Sequence, residues 1–600
     1  TTKFQGDISL RYKLPLKGLS VKLDAAFLKT HTMRKAEATP YKVFSWNQTT
    51  HQGNVENGRI WSMASVSNWY GSLQRYTIRP TVEYNNTFGK HDVSALFLYE
   101  FAREDYEGIS AGREDFPLTN IMDISYGNKV SESLVKGSHS NDKRAGYVMR
   151  LNYAYDQKYL FEFTGRIDAS TALPKGNRWG FFPAVSLGYR VSQEDFFKNA
   201  LPFIDNFKIR GSVGRLGSDA SISNTMTYFS TAGLSSDPCV VFGTNPYKDM
   251  GMSGPVCPDL KWQITDSYNI GFDADLWHGL LGVELDVFYM KTSRSLAGQS
   301  GKFPPSLGNW YPAYINYGSH DNRGFELVLT HRNKIKDFNY YVKGNVSFAR
   351  NRILKTIEDS DVPLYKRRTG KRIGETLGFV ATGLFQSEEE IAKSAVFEGS
   401  TNTKPGDVKM KDINGDGVIS WAQDMVPISR SSTPEMMFGL NIGGDWKGFD
   451  FNMFWQGAAM FDVDLCGIYD SGIRDNTFYT KPFYDQGNTP YYLVENSWTP
   501  EHTNAKYPRL GIEGRDNGGK FSSWWIKDGT YLRLKSAQIG YTLPKKLTNK
   551  IGFGSIRAYV SGSNLLTFCG LDYLDPEMPS VNQGYYPQQR TYEFGLNLTF

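Results

Sequence analysis

The stretch Gln588-Gln589-Arg590-Thr591-Tyr592-Glu593-Phe594-Gly595-Leu596-Asn597-Leu598-Thr599-Phe600 decides how the rest of the chain is read. Tyr592, Phe594, Leu596, Leu598 and Phe600 alternate with Thr591, Glu593, Gly595, Asn597 and Thr599. An extended backbone puts the first set on one face and the second on the other. The run ends on an aromatic residue, which suits a soluble sandwich or the closing strand of a barrel. The remainder of the sequence has to separate the two.

Working back from it, the same period of two recurs along the chain, bounded by turn residues. One hairpin runs through Ile8, Leu10, Tyr12 and Leu14, turns at Pro15 to Gly18, and returns through Leu19, Val21, Leu23, Ala25 and Phe27. Others turn at Asn85 to Gly89, Asp156 to Lys158, Trp277 to Gly279, Asn333 to Asp337 and Asp445 to Gly448. Long polar connections are expected between them, from about Thr30 to Ser72, on to about Asn141, through the segment with Cys239 and Cys257, from Arg352 to Thr433, on to Gly529, and from Asn564 to Pro587. This pattern predicts seventeen strands with short and long connections in near-strict alternation. Long loops on one end and short turns on the other are the habit of outer-membrane barrels rather than of sandwiches.

The second face of each strand supports the barrel. Glu162, Thr164, Arg166 and Asp168 share one face, Asn269, Gly271, Asp273 and Asp275 another, and Lys208, Arg210 and Ser212 a third. Charged groups are almost never fully buried in a sandwich interior, whereas a water-filled lumen accepts them. Mean hydropathy is −0.45 and no apolar run reaches membrane-helix length. That excludes a helical membrane protein but not a barrel, whose lipid face uses only alternate residues.

The fold expected is therefore an all-β, transmembrane antiparallel β-barrel over residues 1–600, with seventeen of a probable twenty-two strands, long extracellular loops and short periplasmic turns. The start, Thr1-Thr2-Lys3-Phe4, lies almost inside a strand, so a processed or truncated piece of a longer protein is expected. Five strands upstream of residue 1 are read as absent.

Net charge is +5, spread over 67 basic and 62 acidic residues, which argues against nucleic acid as a partner. The one dense basic run, Lys366, Arg367, Arg368, Lys371 and Arg372, reads as a solvated loop sooner than a phosphate site. Proximity alone pairs Cys239 with Cys257 and leaves Cys466 with Cys569, in an oxidising compartment. No signature of a hydrolase nucleophile, zinc protease or phosphate loop occurs, so no catalytic residue is assigned and an enzyme is not expected.

Asp412-Ile413-Asn414-Gly415-Asp416-Gly417-Val418-Ile419 spaces side-chain oxygens as a calcium loop does, at Asp412, Asn414 and Asp416, with the Val418 carbonyl following. Position twelve is Gln423, and the carboxylate arrives one residue late at Asp424. Calcium in the 412–424 loop and a self-satisfied Asx turn are both open readings. Ser387 to Lys393 reads as a capping box opening a short helix. Loop tryptophans such as Trp46, Trp61, Trp69, Trp310, Trp421, Trp498, Trp524 and Trp525 could stack on sugars, but more often such residues anchor their own loops.

Gly374-Glu375-Thr376-Leu377-Gly378-Phe379, then Gly383-Leu384-Phe385-Gln386-Ser387-Glu388-Glu389-Glu390-Ile391, Gly406-Asp407 and Asp412 to Ile419 form one ordered set of motifs. Ser563-Asn564-Leu565-Leu566-Thr567, Leu574-Asp575-Pro576-Glu577 and Tyr586 to Phe600 continue it. In this order and spacing the set resembles the SusC/RagA-like TonB-dependent transporters of Bacteroidetes outer membranes. The resemblance implies a twenty-two-stranded barrel with an N-terminal plug and a TonB box, both read as absent from residues 1–600 and expected in the parent protein. It also implies a SusD-like surface lipoprotein as a lid, and TonB-driven import of oligosaccharides or peptides across the outer membrane. No substrate residue carries over. A passive porin or barrel adhesin is the alternative, and a soluble glycan-binding or glycan-cleaving β-protein a third reading.

Overall fold

The computed structural model describes residues 1–39, 42–47, 52–57, 63–130, 134–223, 232–252, 255–299, 303, 306, 311, 314–359, 362–400, 403–465, 491–510, 522–572, 574–577 and 588–600. Seventeen strands stand where the alternation predicts them: β1 (Thr2–Lys13), β2 (Leu19–Ala38), β3 (Ser65–Phe88), β4 (His91–Glu114), β5 (Lys136–Tyr155), β6 (Tyr159–Ser170), β7 (Trp179–Arg190), β8 (Ile204–Ser218), β9 (Gln263–Leu276), β10 (Leu281–Gly298), β11 (Tyr314–Ile335), β12 (Phe338–Lys355), β13 (Met436–Trp446), β14 (Phe449–Ala459), β15 (Tyr531–Thr542), β16 (Ser555–Cys569) and β17 (Thr591–Thr599). The chain divides into two compact units, residues 1–188, 212–266 and 293–317, and residues 189–211, 267–292 and 318–600.

In the first unit β1 to β6 pair antiparallel in chain order. Gly18 closes the β1–β2 turn at φ +88°, and a Cβ there would stand 2.1 Å from the Asn85 carbonyl oxygen. Only glycine fits that corner. In the second unit β11 to β17 form another antiparallel ladder in chain order.

Along these strands the apolar face is bare. Phe4 is 64% exposed, Phe594 82%, and Ile78, Phe97, Met149, Leu329, Ile539 and Val560 are exposed too. The buried apolar clusters lie in connections and at strand ends: Ala458, Phe461, Val463, Leu465, Tyr507, Trp525, Tyr531 and Leu571 in one, Phe379, Phe397, Met410 and Ile419 in another. A water-soluble sheet would bury its wall face and leave its connections wet. Here the distribution is reversed.

Two expectations need correction, and one turn carries structure of its own. The polar connections are shorter than alternation suggests, because the ladders run on past the apolar band: β2 continues to Ala38, β3 begins at Ser65, β4 reaches Glu114 and β5 begins at Lys136. Backbone pairing does not need apolar side chains, so a hydrophobic period marks only part of each strand. The turn before β8 is built from a 3-10 turn, Val191–Gln193, and a short helix, Asp195–Ala200. Finally, Cys257 is a buried free thiol packed with Leu173, Phe182, Ile222, Leu260 and Trp262, and Cys569 is an exposed free thiol. Neither suggested disulfide is formed, because Cys257 serves as a small apolar residue in that cluster.

Candidate functional site

The strand faces opposite the apolar set carry paired charges. In the first unit Arg11 lies 3.0 Å from Glu83, Arg75 Nε donates to Glu104 at 2.7 Å, Arg79 pairs with Glu100, Arg150 meets Glu162 at 2.5 Å and Arg166 meets Asp168 at 2.9 Å. In the second, Arg210 donates to Asp273 at 3.0 Å and to Asp286 at 2.6 Å. The predicted lumen residues Glu162, Arg166, Asp168, Arg210 and Asp273 thus all sit in charge pairs. The arginines of the first-unit pairs keep 44–52% of their surface open, so water screens those pairs and each contributes little to stability. Their value is to line the wall with fixed donors and acceptors.

Within the second unit a cavity of about 640 Å³ opens on this polar face near the turns, lined by His278, Arg332, Asn339, Tyr341, Asp450 and Asn452 among others. Asn339 Nδ2 donates to Asp445 at 2.8 Å, Tyr341 and Asn452 bond to each other and to Asn441, and Arg557 clamps Asp450 at 2.9 Å. Gly443 leaves room for this: a Cβ there would fall 2.6 Å from the Tyr341 ring. The cavity offers amides, a phenol and a guanidinium, a set suited to hydroxyls, carboxylates and peptide groups.

The connections between β12 and β13 and between β14 and β15 pack into a lobe of the second unit. Val396–Phe397 pairs with Val418–Ile419, Ala381–Leu384 pairs with Val408–Met410, and Ala381 N donates to Ser523 Oγ at 2.9 Å. Trp498 and Trp525 are buried. Trp421 packs edge-on to Phe379 and Phe397 and stays 46% exposed. Trp69 lies within β3, while Trp61 and Trp310, like the side chain of Trp46, fall outside the described residues. Ser387 caps its helix by accepting from Glu390 N at 3.2 Å, as the capping box predicts. Glu390 instead reaches back to Gln386 N at 2.8 Å, one residue before the cap, and this bond with the Lys409 ion pair holds its carboxyl below the usual range.

The basic run is absorbed by the lobe. Lys366 Nζ donates to the Trp421 carbonyl at 3.1 Å and to that of Ala422, Lys371 donates to the Tyr365 carbonyl, and Arg372 pairs with Glu435 at 3.1 Å.

Asp412, Asn414, Asp416, Val418 and Asp424 are brought together in one turn. Asp412 accepts from Gly415 N at 2.7 Å and from Gly417 N at 2.8 Å, Asn414 accepts from Asp416 N at 3.2 Å, and Asp416 accepts from Val418 N at 2.9 Å. The Gly417 bond, with its neighbours, holds the Asp412 carboxyl below the ordinary carboxylate range. Asn414 Nδ2 donates to Asp416 and to Gln423. Asp424 is fully buried, and its two oxygens accept from Ile413 N and Ser420 N, each at 2.8 Å. Both oxygens of Asp412 and of Asp424 are thus engaged by backbone N–H groups, one oxygen of Asp416 is taken by the Asn414 side chain, and no group of three or more His, Cys, Asp or Glu gathers at one point among the described residues.

A second feature was missed from sequence. Arg533, 2% exposed, donates to Thr567 Oγ1 at 3.0 Å, to Asp575 at 2.7 Å, to Glu577 at 2.7 Å and to Gln588. Glu577 also receives Lys535 at 2.9 Å and the Tyr531 hydroxyl at 2.9 Å. Asp575 and Glu577 lie in the Leu574 to Glu577 motif, so the sequence held one half of the clasp; nothing distinguishes Arg533 from other strand arginines except the carboxylates that fold back onto it.

An apolar strand face left bare, a charged opposite face and a lobe built from the long connections define an outer-membrane β-barrel. The profile described as "TonB dependent receptor-like, beta-barrel" matches residues 3–565, and the chain belongs to that family. It is 29% identical over 554 residues to TonB-dependent receptor P3 of Formosa agariphila, covering 86% of this chain and 51% of that one. It is 26% identical over 478 residues to TonB-dependent receptor SusC of Bacteroides thetaiotaomicron, covering 76% and 43%. The chain spans about half the length of the curated relatives it matches. Its fold is shared with the RagAB peptide transporter, at a TM-score of 0.75 and 21% identity over 100% of this chain and 62% of that one. The relatives are receptors and transporters rather than enzymes.

Proposed function

We propose that the protein containing this chain is an active importer of oligosaccharides or peptides across the outer membrane, driven by TonB and working with a SusD-like surface lipoprotein. The observation that carries this reading is the lining of fixed donors and acceptors on the polar strand faces of each unit, with a cavity of amide, phenol and guanidinium groups in the second. A wall of this kind exchanges hydrogen bonds with a hydroxyl-rich or peptide cargo without binding it irreversibly. Family membership supports the TonB dependence, and the lobe of packed connections, with Trp421 partly exposed, supports a platform for a lid. Catalysis has no part in this reading.

The test is growth and uptake. A strain lacking the gene should lose uptake of at least one labelled glycan or peptide from a broad panel, and the loss should be reproduced by deleting TonB. A strain that grows and takes up every compound normally would overturn import; uptake that persists without TonB would favour a passive porin.

Calcium in the Asp412 to Asp424 loop is a separate proposal, resting on the spacing of Asp412, Asn414, Asp416 and the Val418 carbonyl. Against it stand the backbone N–H bonds already made by Asp412 and Asp424.

A further inference from the structure

On the polar face of the first unit, two aromatic rings lie down on glycines. Trp69 of β3 shares this face with Arg75, which reaches Glu104, and a Cβ placed on Gly71 would stand 2.4 Å from its Cη2, 2.8 Å from Cζ2 and 3.1 Å from Cζ3. The far ring of the indole therefore covers the bare Gly71 backbone. On β4 the phenol of Tyr106 does the same to Gly108, where a Cβ would stand 2.7 Å from the hydroxyl. Gly71 and Gly108 oppose each other directly, with Trp69 reaching them from one side along the strands and Tyr106 from the other, so the two rings share one floor. Both side chains stay half-buried, one face against backbone and the other open.

Cations flank this floor. The register puts Arg34, Trp69, Ser110 and Lys136 in one row across β2 to β5. Arg34 and Lys136 are exposed, and among the described residues neither has a side-chain partner. The nearest carboxylates on this face are committed elsewhere: Glu104 is held by Arg75 and Asp142 by Arg144, while the next, Glu114, stands four residues beyond Ser110 along β4. Covering a glycine in a sheet accounts for the rings. It does not account for two unpaired cations in their row. In the second unit the same device is closed: Tyr559 lies over Gly595, but the Arg557 guanidinium stands 5.0 Å from its ring centroid and is itself held by Asp450 at 2.9 Å.

We propose that Trp69, Tyr106, Arg34 and Lys136 form a subsite for an acidic oligosaccharide, its pyranose rings carrying carboxylates or sulfate esters. The axial C–H bonds of a pyranose make an apolar face of slight positive charge, which lies on the negative face of an aromatic ring. Its anionic group accepts charge-assisted hydrogen bonds from a guanidinium or an ammonium. An acidic peptide satisfies the cations but has no rigid apolar face to lay across the two rings. Arg34 and Lys136 stand three strands apart, about 14 Å at the usual strand spacing, so the row meets successive charges along one chain. The proposal rests on the import reading and narrows its cargo.

The experiment uses the full-length receptor purified in detergent and titration calorimetry with hexagalacturonate, a sulfated carrageenan hexasaccharide, maltohexaose and hexaglutamate. Wild type should bind at least one acidic sugar more tightly than maltohexaose or hexaglutamate, and which of the two it binds separates carboxylate from sulfate. Arg34→Gln with Lys136→Gln should weaken that sugar about tenfold, and Trp69→Ala about fivefold, both keeping the heat-modifiable gel mobility of a folded barrel. The two cations are exposed, so their variant serves where Trp69→Ala fails to assemble. Failure of both acidic sugars to bind, an affinity unchanged in the Arg34→Gln, Lys136→Gln variant, or equally tight binding of maltohexaose or hexaglutamate would overturn the proposal. Calorimetry needs neither TonB nor transport. Normal TonB-dependent uptake of other cargo without acidic-sugar binding ends the subsite alone, whereas acidic-sugar binding by a receptor whose deletion leaves all uptake intact ends the import reading alone.

Discussion

Arg509 Nε donates to Oδ1 of Asp407 across 2.9 Å, and Asp407 is completely buried. The pair ties the connection before β13 to the one before β15, beside Trp498. Removing one partner strands the other charge out of water, a loss of about 3–5 kcal/mol in buried pairs. Arg509→Met should therefore release the lobe to protease while the barrel keeps its heat-modifiable mobility, and adding Asp407→Asn should restore much of the resistance. A single variant as resistant as wild type would contradict the tie.

Arg533 makes a comparable prediction on the connection between β16 and β17. With four acceptors on one guanidinium, Arg533→Met should free the 575–577 segment, at a local cost of about 3–5 kcal/mol. Hydrogen exchange at the Glu577 amide, which now donates to Asp575 at 2.9 Å, should rise sharply. Arg533→Lys should recover little, since an ammonium cannot span four acceptors in a plane. Unchanged exchange would count against the clasp.

The lobe should also respond to acid. Asp412 and Glu390 titrate below their ordinary values, each chiefly because backbone N–H groups favour the charged form. A depressed folded-state pKa gives stability that is fully present above the unfolded value, roughly 4 for carboxylates, and lost as pH falls through the folded value. Protease resistance of residues 403–428 should thus be flat from pH 8 to about pH 5 and fall below about pH 4. Asp412→Asn should flatten that fall, and a fall that begins near neutrality would point to other groups.

The calcium proposal has its own measurement. Asp412→Ala with Asp416→Ala should abolish any calcium retained by the purified protein and loosen the 412–424 loop. If calcium content is zero in wild type, and chelator leaves proteolysis unchanged, the loop is an Asx turn held by its own amides.

The strands were legible because lipid imposes a strict period of two on one face of each, from Val21 in β2 to Phe594 in β17. Their true ends were not, since Lys136 and Glu114 belong to ladders that continue through water without any hydrophobic signal. The lobe resisted reading for another reason: the contact of Asp407 with Arg509 joins residues far apart in sequence, with no period to announce it. Ser387 was found because its cap is local. Cys257 was misread because nearness in sequence to Cys239 says nothing of the direction of a side chain.

β3 and β4 each run for 24 residues, about 80 Å of extended chain, against an apolar band of about 25 Å. One continuous ladder therefore passes through two solvents. Where it is in lipid, an opened backbone pair finds no water and costs several kcal/mol; beyond Arg103 the same pair opens into water, where each freed group finds a partner. The hairpin, in one register throughout but without paired residues at Arg79 and Pro80, is in this sense two materials, one sealed by lipid and one open to water, and on β4 the border between them falls between Phe101 and Arg103.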